Sequence, residues 1–521
     1  MRILAICHGG GPIGVGHVMR SLALAEAAVA AGHDVVVAGH FEGAFLQGQL
    51  AAAPVEVVEL AARPDVGPGP FLDLVQRIRP DVLHVDSYEL QGWLLVRMER
   101  SNTVPREMIL SNVEDGPFGR RAADVVVDPT FGAELSPRPA DGSTSAALLL
   151  RGSRYSPIRA RVLDARRVVK PIDAIGHSVL VVMGGTDPLG LAPAAVGLLA
   201  RTGLALDVTV IATGEIAERV QDEARGSSLS VTTLAPVDDL PGLMARQDLV
   251  VSAAGTSVWE LCCIGVPMAV VWVVDNQRVG YERVVRAGAA LGLGGPRLGR
   301  DVDAVGLLAT ALKDPQVRAD LVRAGRDMVD GLGAWRVVRT WEQALALGSL
   351  PVVAESALVA HPATREDARA LWAWRNDPVT RAGSRNPEPV PWPDHLAWVE
   401  STLTREDRLL LVVEDSAGSA GPVWPVGTVR WDLWGEGEWE VSITLVPERR
   451  GQSLGRALLR AGELALLEAT RSSATRVTAY LAVVHVDNLA SLRLFESSAY
   501  VPDLPPDDRG FMRFRKAAPV A

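Results

Sequence analysis

The chain has 521 residues and 52 Lys+Arg against 62 Asp+Glu, a formal charge of −10. That length accommodates two or three domains, and 48% hydrophobic with 22% charged residues is a globular composition, not a disordered one. Three cysteines, two of them the neighbours Cys262 and Cys263, exclude a disulfide framework and a zinc-ligand set, and an acidic balance without a dense Lys/Arg cluster disfavours nucleic acid as a partner.

At the N-terminus, MRILAICHGGG has too short an apolar run for a signal peptide, and no stretch reaches the roughly 18 apolar residues of a membrane span. No membrane association and a cytoplasmic location are therefore expected. Arg2 to Cys7 reads as a strand, followed by glycines and by Val18 to Ala31 with helical spacing. Asp34 to Ala38, Asp81 to Val85 and Asp124 to Val127 read as further buried strands. A second series opens near His177 with SVLVVMGG and continues through DVTVIAT, DLVVSAAG and PMAVVWVV. Strands alternating with helices predict parallel sheets covered on both faces. Two Rossmann-like halves are expected, residues 1–150 and 151–349, facing a ligand cleft.

Near residue 350 the composition shifts: eight of the 13 tryptophans follow it. A short connection around Gly348 to Ala357 is expected, with HPATREDARALWAWRNDP starting a new amphipathic helix. LLLVVED, PVGTVRWDL, WEVSITLV and TRVTAYLAVV then read as strands of an α+β domain over 350–521.

The chemistry lies at strand-to-helix turns. Gly9 to Gly16 precede His17 at the start of a helix, where glycines permit close backbone approach and free N–H groups offer an anion site. MGGTD (Met183 to Asp187) and SAAGTSVWE (Ser252 to Glu260) are equivalent turns in the second half. Two helix N-termini aimed into one cleft can neutralise a diphosphate, so no metal requirement is expected.

The words IGVGHVMRSLALA (Ile13 to Ala25), VDSY (Val85 to Tyr88), EDG (Glu114 to Gly116), RGSRYSPIR (Arg151 to Arg159), MGGTD, SAAGTSVWE and DNQ (Asp275 to Gln277) occur in one order. Together they resemble the UDP-sugar hydrolases of pseudaminic acid biosynthesis, GT-B-fold relatives of the glycosyltransferase that makes lipid II. The resemblance implies hydrolysis of a UDP-2,4-diacetamido-2,4,6-trideoxy sugar. It implies that His17 acts on the attacking water with Tyr88 nearby, and that Gly14, Gly16 and Arg20 belong to the same pocket. Gly184, Gly185, Thr186, Asp187, Gly255, Thr256 and Ser257 would hold phosphate, Glu260 the ribose hydroxyls, and Asn276 and Gln277 the sugar side. A neutral imidazole is chemically suited to taking a proton from water.

This chain departs from that pattern twice. Ile6, Cys7 and His8 stand where members carry an Arg-x-Asp pair, and Ser87 replaces a common histidine. Transfer of the sugar to an acceptor, as in the glycosyltransferase relatives, stays open, and so does sugar-nucleotide binding without catalysis. His33, His40 and His84 read as structural, and Asp238-Asp239 as a helix cap.

In the last domain, EVSITLVP (Glu440 to Pro447) and the turn Glu448 to Leu459 form a strand, a basic glycine turn and a helix, suited to pyrophosphate. With HPATREDARALWAWRNDPVTR, PWPDHLAWVE and VVHVDNLASLRLFESSAY they resemble the GNAT family of N-acetyltransferases. That resemblance implies acetyl-CoA as co-substrate, held by Leu445, Arg450, Gly451, Gln452, Ser453, Leu454, Gly455, Arg456, Asn488 and Ser491. Ser453 replaces the motif's first glycine, and Phe495 stands where many members place a tyrosine acid; Tyr500, Tyr480 and His485 are substitutes for it. The tryptophan cluster is expected to form core and pocket wall.

The fold class expected is therefore α/β, a GT-B-like pair of Rossmann-like halves followed by an α+β GNAT domain. The expected function is N-acetylation of a UDP-4-amino-deoxysugar and hydrolysis of the product.

Overall fold

A computed structural model describes residues 1–60, 69–88, 108–115, 123–135, 148–184, 187, 189–298, 303–348, 358–415, 425–471 and 476–519. The chain divides into two compact units, Met1–Leu345 and Ala346–Ala521.

The first unit holds two sheets. β1 (Arg2–Cys7), β2 (Asp34–Gly39), β3 (Glu56–Glu59), β4 (Val82–Asp86), β5 (Ile109–Val113), β6 (Val125–Asp128) and β7 (Leu148–Arg151) form one, in the order β3-β2-β1-β4-β5-β6-β7. β8 (Ser178–Val182), β9 (Leu206–Ile211), β10 (Leu229–Leu234), β11 (Leu249–Ala253), β12 (Met268–Val271) and β13 (Leu291–Gly292) form the other, in the order β10-β9-β8-β11-β12-β13. Both are parallel at every pairing, for example Leu4 beside Val36 and Val251 beside Val181. Each order reverses at its first strand, the doubly wound arrangement whose switch point opens a crevice at the strands' carboxyl ends. Two such halves in tandem are the GT-B arrangement.

Apolar runs make these strands because both faces are covered. Val179, Val181, Val208 and Val251 enter one core of the second half, while Leu180, Val182 and Val250 enter another on the opposite face. Helix Gly333–Gly348 joins the halves. Trp341 donates from Nε1 to Ser111 Oγ on β5 at 2.8 Å, and Glu342 Oε1 lies 2.8 Å from His33 Nε2. Arg159, leading into helix Ala160–Arg167, adds a buried clamp, with its Nε 3.0 Å from Glu26 Oε1 and its Nη1 2.6 Å from Gln49 Oε1.

The second unit is built on a mixed sheet. Its strands are β14 (Leu358–Pro362), β15 (Arg408–Asp415), β16 (Pro425–Gly435), β17 (Glu438–Leu445), β18 (Ala479–His485), β19 (Val501–Leu504) and β20 (Phe511–Ala517), in the order β14-β15-β16-β17-β18-β20-β19. Only β17 and β18 run parallel. Helix Gly455–Ala469 packs Leu458 and Leu459 on the face that carries Leu411, Val429 and Trp431. The other face, through Leu410 and Val412, meets Leu371 and Val399 of helices Ala368–Asn376 and Trp392–Thr402.

Two details differ from the sequence reading. His361 and Pro362 belong to β14, and the helix there begins only at Ala368, after the capping box of Thr364 and Asp367. Gly348, expected in a connection, closes helix Gly333–Gly348, while 349–357 lie outside the described residues. Among the described residues no helix is long and apolar enough to cross a membrane.

Candidate functional site

In the first unit, His17 sits in the first turn of helix Gly16–Ala30, directly after the glycine loop. Gly10 has φ +107°, and a Cβ on it would lie 2.4 Å from the Glu42 carbonyl oxygen. Glycine at this position thus lets two backbone segments touch.

Asp86, at the end of β4, is the hub beneath the histidine. Its Oδ1 lies 2.6 Å from His17 Nδ1, and Arg20 donates to it from Nε at 2.5 Å and from Nη2 at 2.8 Å. Burial opposes ionisation of Asp86, but Arg20 and His17 outweigh it and hold the carboxyl well below the usual carboxylate range. Arg20 Nη2 also lies 3.1 Å from Nδ1, but the shorter contact is to Asp86, and an ionised carboxylate only accepts, so that contact favours the tautomer with its proton on Nδ1 and its lone pair on Nε2. Arg20 also reaches Asp115 Oδ2 at 3.2 Å, and Asp115 accepts from Tyr88 OH at 2.6 Å. The Tyr88 ring meets His17 edge-on at 4.5 Å, and burial with Asp115 beside it pushes its hydroxyl well above the usual range. The phenol therefore stays a proton donor.

The second half faces this cluster with a helix end. A Cβ placed on Gly16 would lie 3.4 Å from Thr256 Cγ2, so the starts of helices Gly16–Ala30 and Ser257–Ile264 meet across the cleft. Thr256 makes no side-chain cap there. Glu260, one turn on, is half-buried, and burial, only partly offset by Arg159, pushes its carboxyl up to about 7. Gln277 Oε1 accepts from Val273 N at 2.9 Å, and Asn276 is exposed beside it. Asp187 is spent locally: its oxygens accept from Leu191 N at 2.8 Å and Ala192 N at 2.9 Å, fixing the start of helix Ala192–Arg201. Gly184 has φ +77°, whereas Gly185 and Thr186 lie outside the described residues. Asp239 caps Gly242 N at 3.0 Å, and no metal-ligating cluster occurs among the described residues.

In the second unit, β17 and β18 pair only from Glu438–Ala479 to Val441–Ala482 and then part. The gap opens into a cavity of roughly 2020 Å³. Every acetyl-CoA residue expected from the sequence, from Leu445 through Arg450–Arg456 to Asn488 and Ser491, lines it. Arg450 is braced by Thr380 Oγ1 at 2.6 Å and Asp377 Oδ1 at 2.7 Å. Ser453 adopts φ +57°, the left-handed region, so the serine takes over the glycine's conformation as well as its place. Asn488 Oδ1 accepts from Ser491 N at 3.1 Å and caps helix Leu489–Ser497.

Of the three substitutes for a tyrosine acid, only His485 lines the cavity. Tyr500 is fully buried with its hydroxyl 3.0 Å from Glu463, and Tyr480 lies in the core beside it, so neither reaches the cavity. Of the tryptophans, Trp431 and Trp439 are core, Trp374 and Trp398 are cavity wall, and Trp434 is exposed. Sequence reasoning missed Arg375, Glu440 and His395 as cavity residues. All three stand in the quoted words, but an amphipathic pattern does not say which polar side chain turns inward.

Residues 358–500 match the acetyltransferase (GNAT) domain family. An uncharacterized protein of Methanocaldococcus jannaschii, MJ1062, is 20% identical over 80% of this chain and 81% of its own length. The spore coat polysaccharide biosynthesis protein SpsG of Bacillus subtilis is 23% identical over 65% of this chain and 96% of its own. Among solved structures, MurG of Acinetobacter baumannii is similar at 18% identity and a TM-score of 0.43, over 66% of this chain and 99% of that one. The chain thus carries a GNAT acetyltransferase domain behind a region of two doubly wound parallel sheets that has a relative in polysaccharide biosynthesis.

Proposed function

We propose that the chain is a bifunctional nucleotide-sugar enzyme. The second unit transfers acetyl from acetyl-CoA to the amine of a UDP-4-amino-deoxysugar, and the first unit hydrolyses the acetylated UDP-sugar to free sugar and UDP. The observation that carries this reading is the His17–Asp86 pair at two facing helix starts, encoded in one chain with a cavity lined by the acetyl-CoA motif.

In the second unit the amine nitrogen forms a C–N bond at the thioester carbonyl as the C–S bond breaks, and the proton that the nitrogen loses ends on the departing thiolate, so CoA leaves as the thiol and positioning supplies most of the rate. β17 past Val441 has no strand beside it on the β18 side, which suits an extended amide-bearing arm, and the turn at Arg450–Gly455 suits the pyrophosphate. In the first unit, water attacks the anomeric carbon as the C–O bond to phosphate breaks. Nε2 of His17 takes the water's proton while Asp86 stabilises the imidazolium. The helix starts at Gly16 and Ser257 stabilise the departing UDP. Glu260 would accept from the ribose hydroxyls.

The test is mass spectrometry of products after incubation with UDP-4-amino-sugar and acetyl-CoA. N-acetyl sugar and UDP are expected, with UDP release dependent on acetyl-CoA. No acetylation would overturn the first step; UDP release unchanged by His17→Gln would overturn the second. UDP release that needs an added acceptor would establish transfer in place of hydrolysis.

A further inference from the structure

The cavity of the second unit reaches both faces of the sheet. The Arg450–Gly455 turn lies at the start of helix Gly455–Ala469, which packs on the face of Val429 and Trp431. Arg430, Glu440 and Ser442 are cavity residues from the alternate positions of β16 and β17, which point to the opposite face with Leu410. A thioester threaded through the gap between β17 and β18 emerges on that face, so the acceptor amine must be held there.

The lining on this face is cationic. Arg375, Arg385 and Arg430 line it together with Glu440, which Arg385 engages at 2.9 Å, while Arg430 gives its Nε to Asp432 at 2.8 Å and keeps its two terminal nitrogens for a ligand. Arg375 is the most telling. Its Nη2 donates to Asn386 O at 2.7 Å, but its Nη1 is buried with no hydrogen-bond partner among the described residues. Burial, together with Arg381 and Arg430 nearby, works against its charge. A buried guanidinium N–H left unpaired beside like charge is costly unless a ligand completes it. A polyamine acceptor would meet repulsion here; an amine that carries its own negative charge would not.

We propose that this face is an anion subsite, in which Arg375 and Arg430 receive the diphosphate of the acceptor while its amine points toward the gap between β17 and β18. The inference rests on the acceptor named under Proposed function and specifies how that acceptor is recognised. It also predicts selectivity: the nucleotide is read at the acetylation step, so the same amino sugar without its diphosphate is a poor acceptor.

The test is steady-state acetyl transfer by the full chain, read as thiol release, with UDP-4-amino-sugar, the same amino sugar freed of UDP, and spermidine. The UDP-linked amine should be preferred by at least tenfold in kcat/KM. Arg375→Gln and, independently, Arg430→Gln should raise its KM about tenfold while leaving KM for acetyl-CoA unchanged, with Arg375→Lys intermediate. Equal turnover of the free amino sugar or spermidine, or an unchanged KM in both Gln variants, overturns the subsite. A parallel rise in KM for acetyl-CoA also overturns it, because the arginines would then serve the phosphates of CoA. If the wild type acetylates no UDP-amino-sugar, the acceptor assignment falls. The subsite is then judged by inorganic pyrophosphate as an inhibitor competitive with the amine that is turned over, and no such inhibition overturns it.

Discussion

At the residue scale, His17, Arg20 and Asp86 form one buried unit whose members fail differently. His17→Gln removes the base but keeps the pair of charges beneath it, so hydrolysis should fall by about 10²-fold to 10⁴-fold with UDP binding retained. Asp86→Asn also takes from the buried Arg20 its two-point charged partner, leaving the longer contact to Asp115 at 3.2 Å, so it should cost on the order of 3 kcal/mol of stability as well. Thermal melts beside initial rates separate the two, and equal melting losses in both variants would contradict this division. Glu260 supplies a pH signature. Its folded carboxyl holds its proton up to about 7, above the ordinary value. Raising pH between those two values ionises the unfolded chain first, so the unliganded protein loses stability across that window. Ribose hydroxyls donate, so UDP should bind the ionised form, with affinity falling up to tenfold per pH unit below about 7 and with proton release on binding. Calorimetry in buffers of different ionisation enthalpy measures this, and Glu260→Gln should flatten the dependence.

At the element scale, the turn ahead of helix Gly455–Ala469 stores strain at a known position. Ser453 at φ +57° pays a left-handed penalty that glycine does not. Ser453→Gly should therefore stabilise the second unit by roughly 0.5–1 kcal/mol, after the loss to unfolded-chain entropy, and leave the cavity unchanged. Calorimetric unfolding of the full chain, with no rise in midpoint for the variant, would refute this. The elements also show what was legible in sequence. Buried strands such as Ser178–Val182 and Leu249–Ala253 are legible as β-branched runs ending in glycine turns. Short or edge strands such as Glu56–Glu59, Leu291–Gly292 and Val501–Leu504 did not, because half-exposed or proline-bearing segments lack that pattern. His361 and Pro362 were misread because β14 runs straight into the helical word, and the Thr364–Asp367 capping box that divides them is a local hydrogen-bond motif with no periodicity.

At the scale of the whole molecule, the net charge of −10 gives no hint that the second unit's cavity is lined by arginine, since total charge reports solubility and not local field. Nor could spacing reveal that Asp86, 69 residues from His17, would orient it. Sequence words named the histidine, and only the sheet order, which sets β4 beside β1, brings its carboxylate underneath. The approach of Gly16 to Thr256 carries one more consequence. Each helix start bears about half a positive charge, so the facing walls of the cleft are like poles, repelling by up to about 1 kcal/mol at an effective dielectric near 20. A bound diphosphate reverses the sign of that force and acts as a clasp. The first unit should therefore contract when UDP binds, and small-angle scattering with and without UDP would register the smaller radius, an effect that Glu260→Gln should leave in place.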